Sequence, residues 1–447
     1  MKKSETPFMD DKAVGLPDST DVSEDIFKGN SLIAHLKGRF YRAEDARKFD
    51  EERWLRAYRN YRGIYGPDVQ FTAAEKSRVF IKVTKTKTLA AYGQITDVLF
   101  ANNTFPLSIE PTLLPEGVVE SVHVEADPNL AKTETEGSSL FGFKGDGRDF
   151  PKGATATSLA DMLGPLKGKL AELDVKEGAG STPTSVTFHP AMVAAKKMQK
   201  KIIDQLDESN ANKQLRSVAF EMALFGTGIM KGPFAVDKEY PRWDEEGVYN
   251  PSIKTMPQTS HVSVWNAYPD PDAINADELQ YFIERHKMSS SQLRALKKRP
   301  MFRGNAIDMV IAAGPDYTKK WWEDNLNDYH TDTGIERYEV LEYWGVVDVE
   351  LLEENDITIP KEFADMAELH ANIWMTGNKI IRLVLNPFKP VRIPYYIVPY
   401  ELNPYSIFGV GIAENMDDTQ TLMNGFMRLS VDNAVLSGNL VFEVDET

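Results

Sequence analysis

The chain contains no cysteine. Disulfides, thiolate metal sites and cysteine nucleophiles are therefore excluded within it. No apolar run approaches the roughly 18 residues that a membrane-spanning helix needs. Met1–Asp25 is polar and lacks the apolar core of a secretory signal. Basic charge is in short supply: 51 Lys and Arg stand against 67 Asp and Glu, a formal net charge of −16. A protein that grips phosphates carries a basic footprint, so tight non-specific DNA binding is not expected here. The acidity confers solubility; on the wall of a conduit it would also keep contacts with sliding DNA weak by repulsion.

Catalytic signatures are missing too. The seven histidines (His35, His123, His189, His261, His286, His330, His370) are scattered, with no H-x-x-x-H helix and no Gly-x-Ser-x-Gly elbow beside them. Gly145 and Gly147 lack the strand-turn-helix setting and the downstream Lys-Ser/Thr of a phosphate cradle. Gly409, Gly411 and Glu414 lack the third glycine of a dinucleotide fingerprint. Asp270 and Asp272 lie in a turn set by Pro269 and Pro271, with no further ligand at metal spacing. The expectation is a protein without catalytic residues, cofactor or metal. Ligands far apart in sequence keep a metal-dependent nuclease open as an alternative.

What is present suffices for two or three domains: 447 residues, 42% hydrophobic and 26% charged. A polar arm (1–30) precedes a helical part (31–111). Its first expected helix, Ala43–Tyr61, has the apolar face Phe49, Trp54, Leu55, Tyr58 and Tyr61 and ends at Gly63. Arginines and acids share its other faces, which reads as a salt-bridged surface rather than a nucleic-acid site. A second helix is expected over Ser77–Phe100 and an edge strand over Phe105–Pro111. Residues 112–190, rich in Gly, Ser, Thr and charge, read as a loop-rich insertion with one weak helical stretch, Ser158–Leu173.

An α+β part follows (191–406). A helix over Ala191–Leu206 shows the stripe Ala194, Met198, Ile202, Leu206 and a basic cluster, Lys196, Lys197, Lys200 and Lys201. A further helix, Asn212–Phe225, breaks at Gly226-Thr227-Gly228 before the strand Ile229–Val236. Val262–Pro271 reads as strand and turn, Tyr281–Arg285 as strand, and Ser290–Lys298 as a helix with a Ser289/Gln292 capping box. Met301–Asp332 reads as mostly helical. Strands are expected at Arg337–Leu351, Ala371–Met375 and Lys379–Leu385, the last two joined by a hairpin. Asn386–Tyr405 is proline-rich and extended.

The chain is organised around 407–438. A corner with Gly409 and Gly411 leads into a helix of about 24 residues, roughly 36 Å long. Leu422, Phe426, Leu429 and Leu436 form its apolar stripe, widened by Met416, Met423, Met427 and Ala434. Asp417, Thr421, Asn424, Arg428 and Asp432 form its polar stripe. Gly438 stops it, and 439–447 begins a strand.

This ordered set resembles the portal, or head-to-tail connector, proteins of tailed bacteriophages, closest in feel to the short-tailed type. It comprises the Gly-x-Gly corner, acidic helix start, mid-helix Gln and Asn, Asp432-Asn433 and small-residue exit. The Trp, Tyr-Arg and Arg-Gly spacing of Phe49–Tyr65 and the phrases around Phe105, Gly226 and Asp270 resemble the same family. The resemblance implies a portal-like α+β fold: a mixed helix/sheet wing, a long stem helix and the start of a clip. It implies a virion protein forming a homo-oligomeric ring of about twelve copies at one capsid vertex, assembled in the host bacterial cytoplasm. The ring would conduct double-stranded DNA during packaging and ejection without reading its sequence. It would also contact capsid protein, terminase and tail adaptors. Leu422, Phe426, Leu429 and Leu436 would then be the packing face, and the polar stripe the channel or solvent side. Portals continue through a clip and a second stem helix, so the expectation is a chain lacking that C-terminal part. Another virion or assembly adaptor is the second alternative.

Overall fold

The computed structural model describes residues 31–73, 75–100, 105, 107–111, 122–125, 185–188, 190–244, 247–326, 336–355, 357–363, 365–386 and 392–438. The arm over 1–30, the Ser158–Leu173 stretch and the clip start over 439–447 lie outside the described residues. In chain order the helices are α1 (Ser31–Ala46), α2 (Lys48–Arg62), α3 (Val83–Phe100), α4 (Pro190–Glu208), α5 (Ala211–Phe225), α6 (Ser290–Leu296), α7 (Gly304–Ala313), α8 (Glu323–Leu326), α9 (Val349–Glu353), α10 (Ile412–Asn415) and α11 (Asp417–Gly438). The strands are β1 (Val122–Glu125), β2 (Ser185–Phe188), β3 (Thr227–Tyr240), β4 (Ser252–Val262), β5 (Ala267–Pro269), β6 (Tyr281–Met288), β7 (Tyr338–Asp348), β8 (Glu368–Thr376), β9 (Lys379–Leu385) and β10 (Tyr395–Pro399).

The chain divides into two compact units, one joining 1–106 to 203–447, the other 107–202. In the second unit, β1 and β2 pair antiparallel, and the Gln199 side chain donates to the Leu107 carbonyl at 2.7 Å. On α4, Ala195 is buried, whereas Met198 of the expected stripe is exposed. Among the described residues, 105 and 107–111 form no strand.

Among its described residues the first unit holds two antiparallel sheets. One has the order β10-β3-β4; the other runs β5-β6-β7-β8-β9 as a meander. The β8–β9 hairpin turns at Gly377, whose φ of +56° suits a tight two-residue turn. The reading RYEVLEYWGVVDV is apolar on both alternations because both faces of β7 are covered. Leu341, Tyr343 and Val347 face α1, while Tyr338 and Val340 face α6 and α7. The third core is aromatic. Trp54 of α2 meets Trp265 and Phe408 edge-on, with ring centroids 5.5 and 4.9 Å apart, and Phe225 meets Trp265 likewise.

Several expected elements differ. The helix expected over Ala43–Tyr61 is two helices. α1 carries its own stripe, with Leu32, Leu36, Phe40 and Ala43 buried on the five-stranded sheet. The break falls at Arg47, whose buried guanidinium donates to the carbonyls of Trp265 and Ala267 and pairs with Glu51. Phe49, expected in the apolar face, is 72% exposed. Residues 77–82 have no regular secondary structure, so α3 starts later than expected, at Val83. The stretch Val262–Pro271 is broken by a 3₁₀ turn, Val264–Asn266. Between 301 and 326 only α7 and α8 are helical, since Gly314-Pro315 ends the first and 314–322 stays irregular. β7 gives way to α9 at Val349.

The docking of α1 yields a test. Leu36→Ala should cost about 2–4 kcal/mol of unfolding free energy, whereas Phe49→Ala should cost under about 0.5 kcal/mol. Urea denaturation of the two variants compares them directly.

Candidate functional site in the C-terminal helix

The corner before α11 is built from two glycine pairs. Gly226 ends α5 with φ +86°, and a Cβ there would lie 2.5 Å from Gly409 O, Gly411 N and Val410 C. At Gly409 a Cβ would meet Gly226 O and Glu401 O at 2.6 Å; at Gly411 it would meet Leu224 O at 2.6 Å. Backbone therefore packs on backbone, which only glycine permits. The contact is pinned by Tyr400 N donating to Gly226 O at 2.8 Å and Gly409 N donating to Thr227 Oγ1 at 2.9 Å. Both motifs were legible separately; their mutual contact was not.

From that corner α10 and α11 run along the N-terminal elements. Arg53 donates two hydrogen bonds to Glu414, at 3.0 and 2.8 Å. Asn60 donates to Asp417 at 2.7 Å. Gln420, 1% exposed, accepts from the Thr84 backbone and hydroxyl at 3.0 Å and donates to Asn424 and to the Ile81 carbonyl. Asn424, 4% exposed, accepts from Ile81 N at 3.0 Å. Asp432 accepts from Ser77 N at 2.9 Å and Lys76 N at 3.3 Å. The Arg428 guanidinium lies over the rings of Tyr65 and Phe71.

One face of α11 thus supplies hydrogen bonds to backbone groups of 76–81, which have no regular secondary structure of their own, and to the first turn of α3 at Thr84. Of the expected polar stripe, Thr421 is exposed, while Asp417, Asn424, Arg428 and Asp432 are engaged by the protomer's own chain. Asp417, Thr421, Asn424 and Arg428 also line an open cavity of about 690 Å³ together with Arg56, Arg59 and Tyr65. Gln420, the most buried polar residue of the helix, was absent from the expected stripe. The apolar stripe lies outward: Leu422 is 60%, Phe426 61%, Leu429 55% and Leu436 70% exposed, with Met423, Met427 and Val435 beside them.

A second constellation joins the two sheets. Glu284 of β6, His286 of β6 and Glu342 of β7 bring potential metal-ligand atoms within 4.8 Å of one another. The cation held between the carboxylates is Lys231 of β3, with Nζ 2.7 Å from Glu284 Oε2 and 2.5 Å from Glu342 Oε2. The Tyr395 hydroxyl donates to Glu284 at 2.7 Å, Trp344 Nε1 donates to Glu342 at 2.7 Å, and His286 Nε2 lies 2.8 Å from Glu342. Burial works against the Glu342 charge, but Lys231 and His286 outweigh it and hold the carboxyl at about 2, below the ordinary 4.5. Burial, then Glu284, pushes the Tyr395 hydroxyl well up. This is a fully partnered ionic clamp. Its sequence signal was a charge interrupting each of three apolar strands. The other acidic pair considered, Asp270 and Asp272, serves the turn: Asp270 accepts from Asp272 N, and Asp272 pairs with Arg42.

Two outcomes test these contacts. Gly226→Ala combines a left-handed φ with a backbone clash and should destabilise by about 2–4 kcal/mol. Gly425→Ala lies mid-helix with nothing within 4 Å of its Cβ and should stabilise by about 0.5–1 kcal/mol. Chemical denaturation reads both. Because the folded Glu342 pKa is depressed, its contribution is complete above pH 4.5 and is lost as pH falls toward about 2. Glu342→Gln should therefore flatten the pH dependence of stability in that window, measured by urea unfolding across it.

Residues 189–446 match the family described as the phage SU10 portal protein. The match covers the two sheets, the ionic clamp, the glycine corner and α11, more than half of the chain. No curated protein matches the chain. The expected portal resemblance and this match agree on the part of the chain that carries the corner and the helix, and the chain belongs to the phage SU10 portal protein family.

Proposed function

We propose that the chain is the wing and stem of a portal ring, a structural conduit at one capsid vertex. DNA would pass through it during packaging and ejection, with capsid protein, terminase and tail adaptors docking on its surfaces. About twelve copies, assembled in the host cytoplasm, would form a virion component. Residues 31–111 and 191–406 form the wing in this reading, and α11 the stem.

One observation carries it. The polar face of α11 is engaged by its own chain at Asp417, Gln420, Asn424 and Asp432, and its apolar face is left outward. An amphipathic helix in a self-sufficient protomer turns the other way. Here Leu422, Phe426, Leu429 and Leu436 are set to be covered side by side by the next copy, in the head-to-tail contact that closes a ring. The net charge of −16 supports passage rather than capture of DNA. No chemistry is asked of the ring.

The purified chain should form rings with a central pore in negative-stain images. Phe426→Glu combined with Leu429→Glu should abolish them while leaving the far-ultraviolet circular dichroism and melting temperature unchanged, since both side chains are exposed in the protomer. Rings that survive this double substitution would remove the stripe from the interface.

A further inference from the structure

The open cavity of about 690 Å³ beside α11 is walled by α2, the loop that follows α2 and the start of α8. Its volume falls within the roughly 300–1,000 Å³ of small-molecule sites. Three guanidinium groups line it. Arg56 and Arg59 come from α2, where a spacing of three puts them on one side of the helix, and Arg428 comes from α11.

Of these three, only Arg56 has a carboxylate partner among the described residues, and that contact is long, 3.4 Å to Asp417. Arg59 donates to the neutral amide oxygen of Asn325 at 3.0 Å. Arg428 lies over the rings of Tyr65 and Phe71, its Cζ 5.2 and 5.1 Å from their centroids. Its Nε and Nη1 are buried and meet no acceptor. The rings offset part of the cation's charge. Guanidinium N–H groups cut off from water and without an acceptor still leave it short of a counter-charge.

Acids share the lining: Glu52, Asp68 and Asp417. Asp417 already accepts from Asn60 at 2.7 Å and from Arg56. Glu52 and Asp68 are exposed, where water and salt screen them. Among the charges better shielded from solvent, Asp417 is therefore engaged, whereas Arg59 and Arg428 have no anion. Thr421, exposed on the α11 wall, adds a hydroxyl donor.

We propose that this cavity binds a small phosphate-bearing molecule, with Arg59 and Arg428 as counter-charges to the phosphate. A carboxylate brings two oxygens and one charge. A terminal phosphate brings three oxygens and close to two charges, which suits two unpaired guanidinium groups and a hydroxyl. The site lies within one protomer, so it stands independently of the ring reading above.

Isothermal titration in phosphate-free buffer, with inorganic phosphate, a nucleoside monophosphate and a short DNA duplex as probes, tests this. The expected result is binding of inorganic phosphate or the monophosphate, weakened about tenfold or more by Arg428→Gln and by Arg59→Gln. Arg59→Gln removes only the bond to Asn325, so its melting temperature should be unchanged, which separates lost binding from lost fold. Glu52→Gln combined with Asp68→Asn should tighten binding about threefold at low salt. Binding of the duplex alone overturns the small molecule and assigns the site to the DNA backbone. Binding of none of the three probes, or binding that neither arginine substitution alters, overturns the site.

Discussion

Everything at the carboxyl end of the chain depends on one close approach of backbone to backbone. Gly226 and Gly228 close α5 and open β3; Gly409 and Gly411 close the extended proline-rich segment and open α10. A methyl group at Gly226, Gly409 or Gly411 would fall within 2.7 Å of main-chain atoms of the other segment. The long helix therefore leaves from a fixed point at the junction of α5 with the three-stranded sheet. Its direction is then held by Arg53 on Glu414 and Asn60 on Asp417. The aromatic cluster of Trp54, Trp265 and Phe408 closes over the same corner, so α2 and the sheet are packed to the point of departure.

The ionic clamp does for the two sheets what the glycines do for the helix. Lys231, Glu284 and Glu342 come from three strands in two sheets, and Tyr395 adds a fourth strand. An apolar contact would tolerate sliding of one sheet on the other. A lysine between two carboxylates, with Trp344 on the second oxygen of Glu342 and Tyr395 sharing Glu284 Oε2 with the lysine, permits one register, because each displaced group would be buried without a partner. Phe282 stacked on Tyr395 at 4.0 Å fills the space beside it.

What could be read from the sequence was mainly local. The α5–Gly226 break, the Ser289/Gln292 capping box, the turn at Gly377 and the period of α11 each depend on residues a few positions apart, and each is present. What escaped depends on distant partners. α1 and α2 separate at Arg47 because carbonyls some 220 positions later accept its guanidinium. Residues 77–82 stay outside α3, with Ser77 and Ile81 satisfied by Asp432, Asn424 and Gln420 from the far end of the chain. The three charges of the clamp stand on three strands far apart in sequence, and nothing in their neighbourhoods names the others.

The inward face of α11 shows why periodicity alone could not orient it. A hydrophobic stripe identifies which residues share a side; it does not say whether that side meets the same chain or another. Here the partner within the chain is not an apolar surface but the N–H and C=O groups of the irregular segment before α3 and of its first turn. Amide side chains at Gln420 and Asn424 complement such groups, and leucine could not. Once the polar side is committed inward, geometry carries Leu422, Phe426 and Leu429 outward on the same rigid rod. In the proposed ring, covering each such side chain would be worth about 1.5–3 kcal/mol, set against the ordering cost of joining copies. Hydrogen bonding on one side fixes the rod to its own protomer, and in the proposed ring the apolar area on the other side would be left for the next copy.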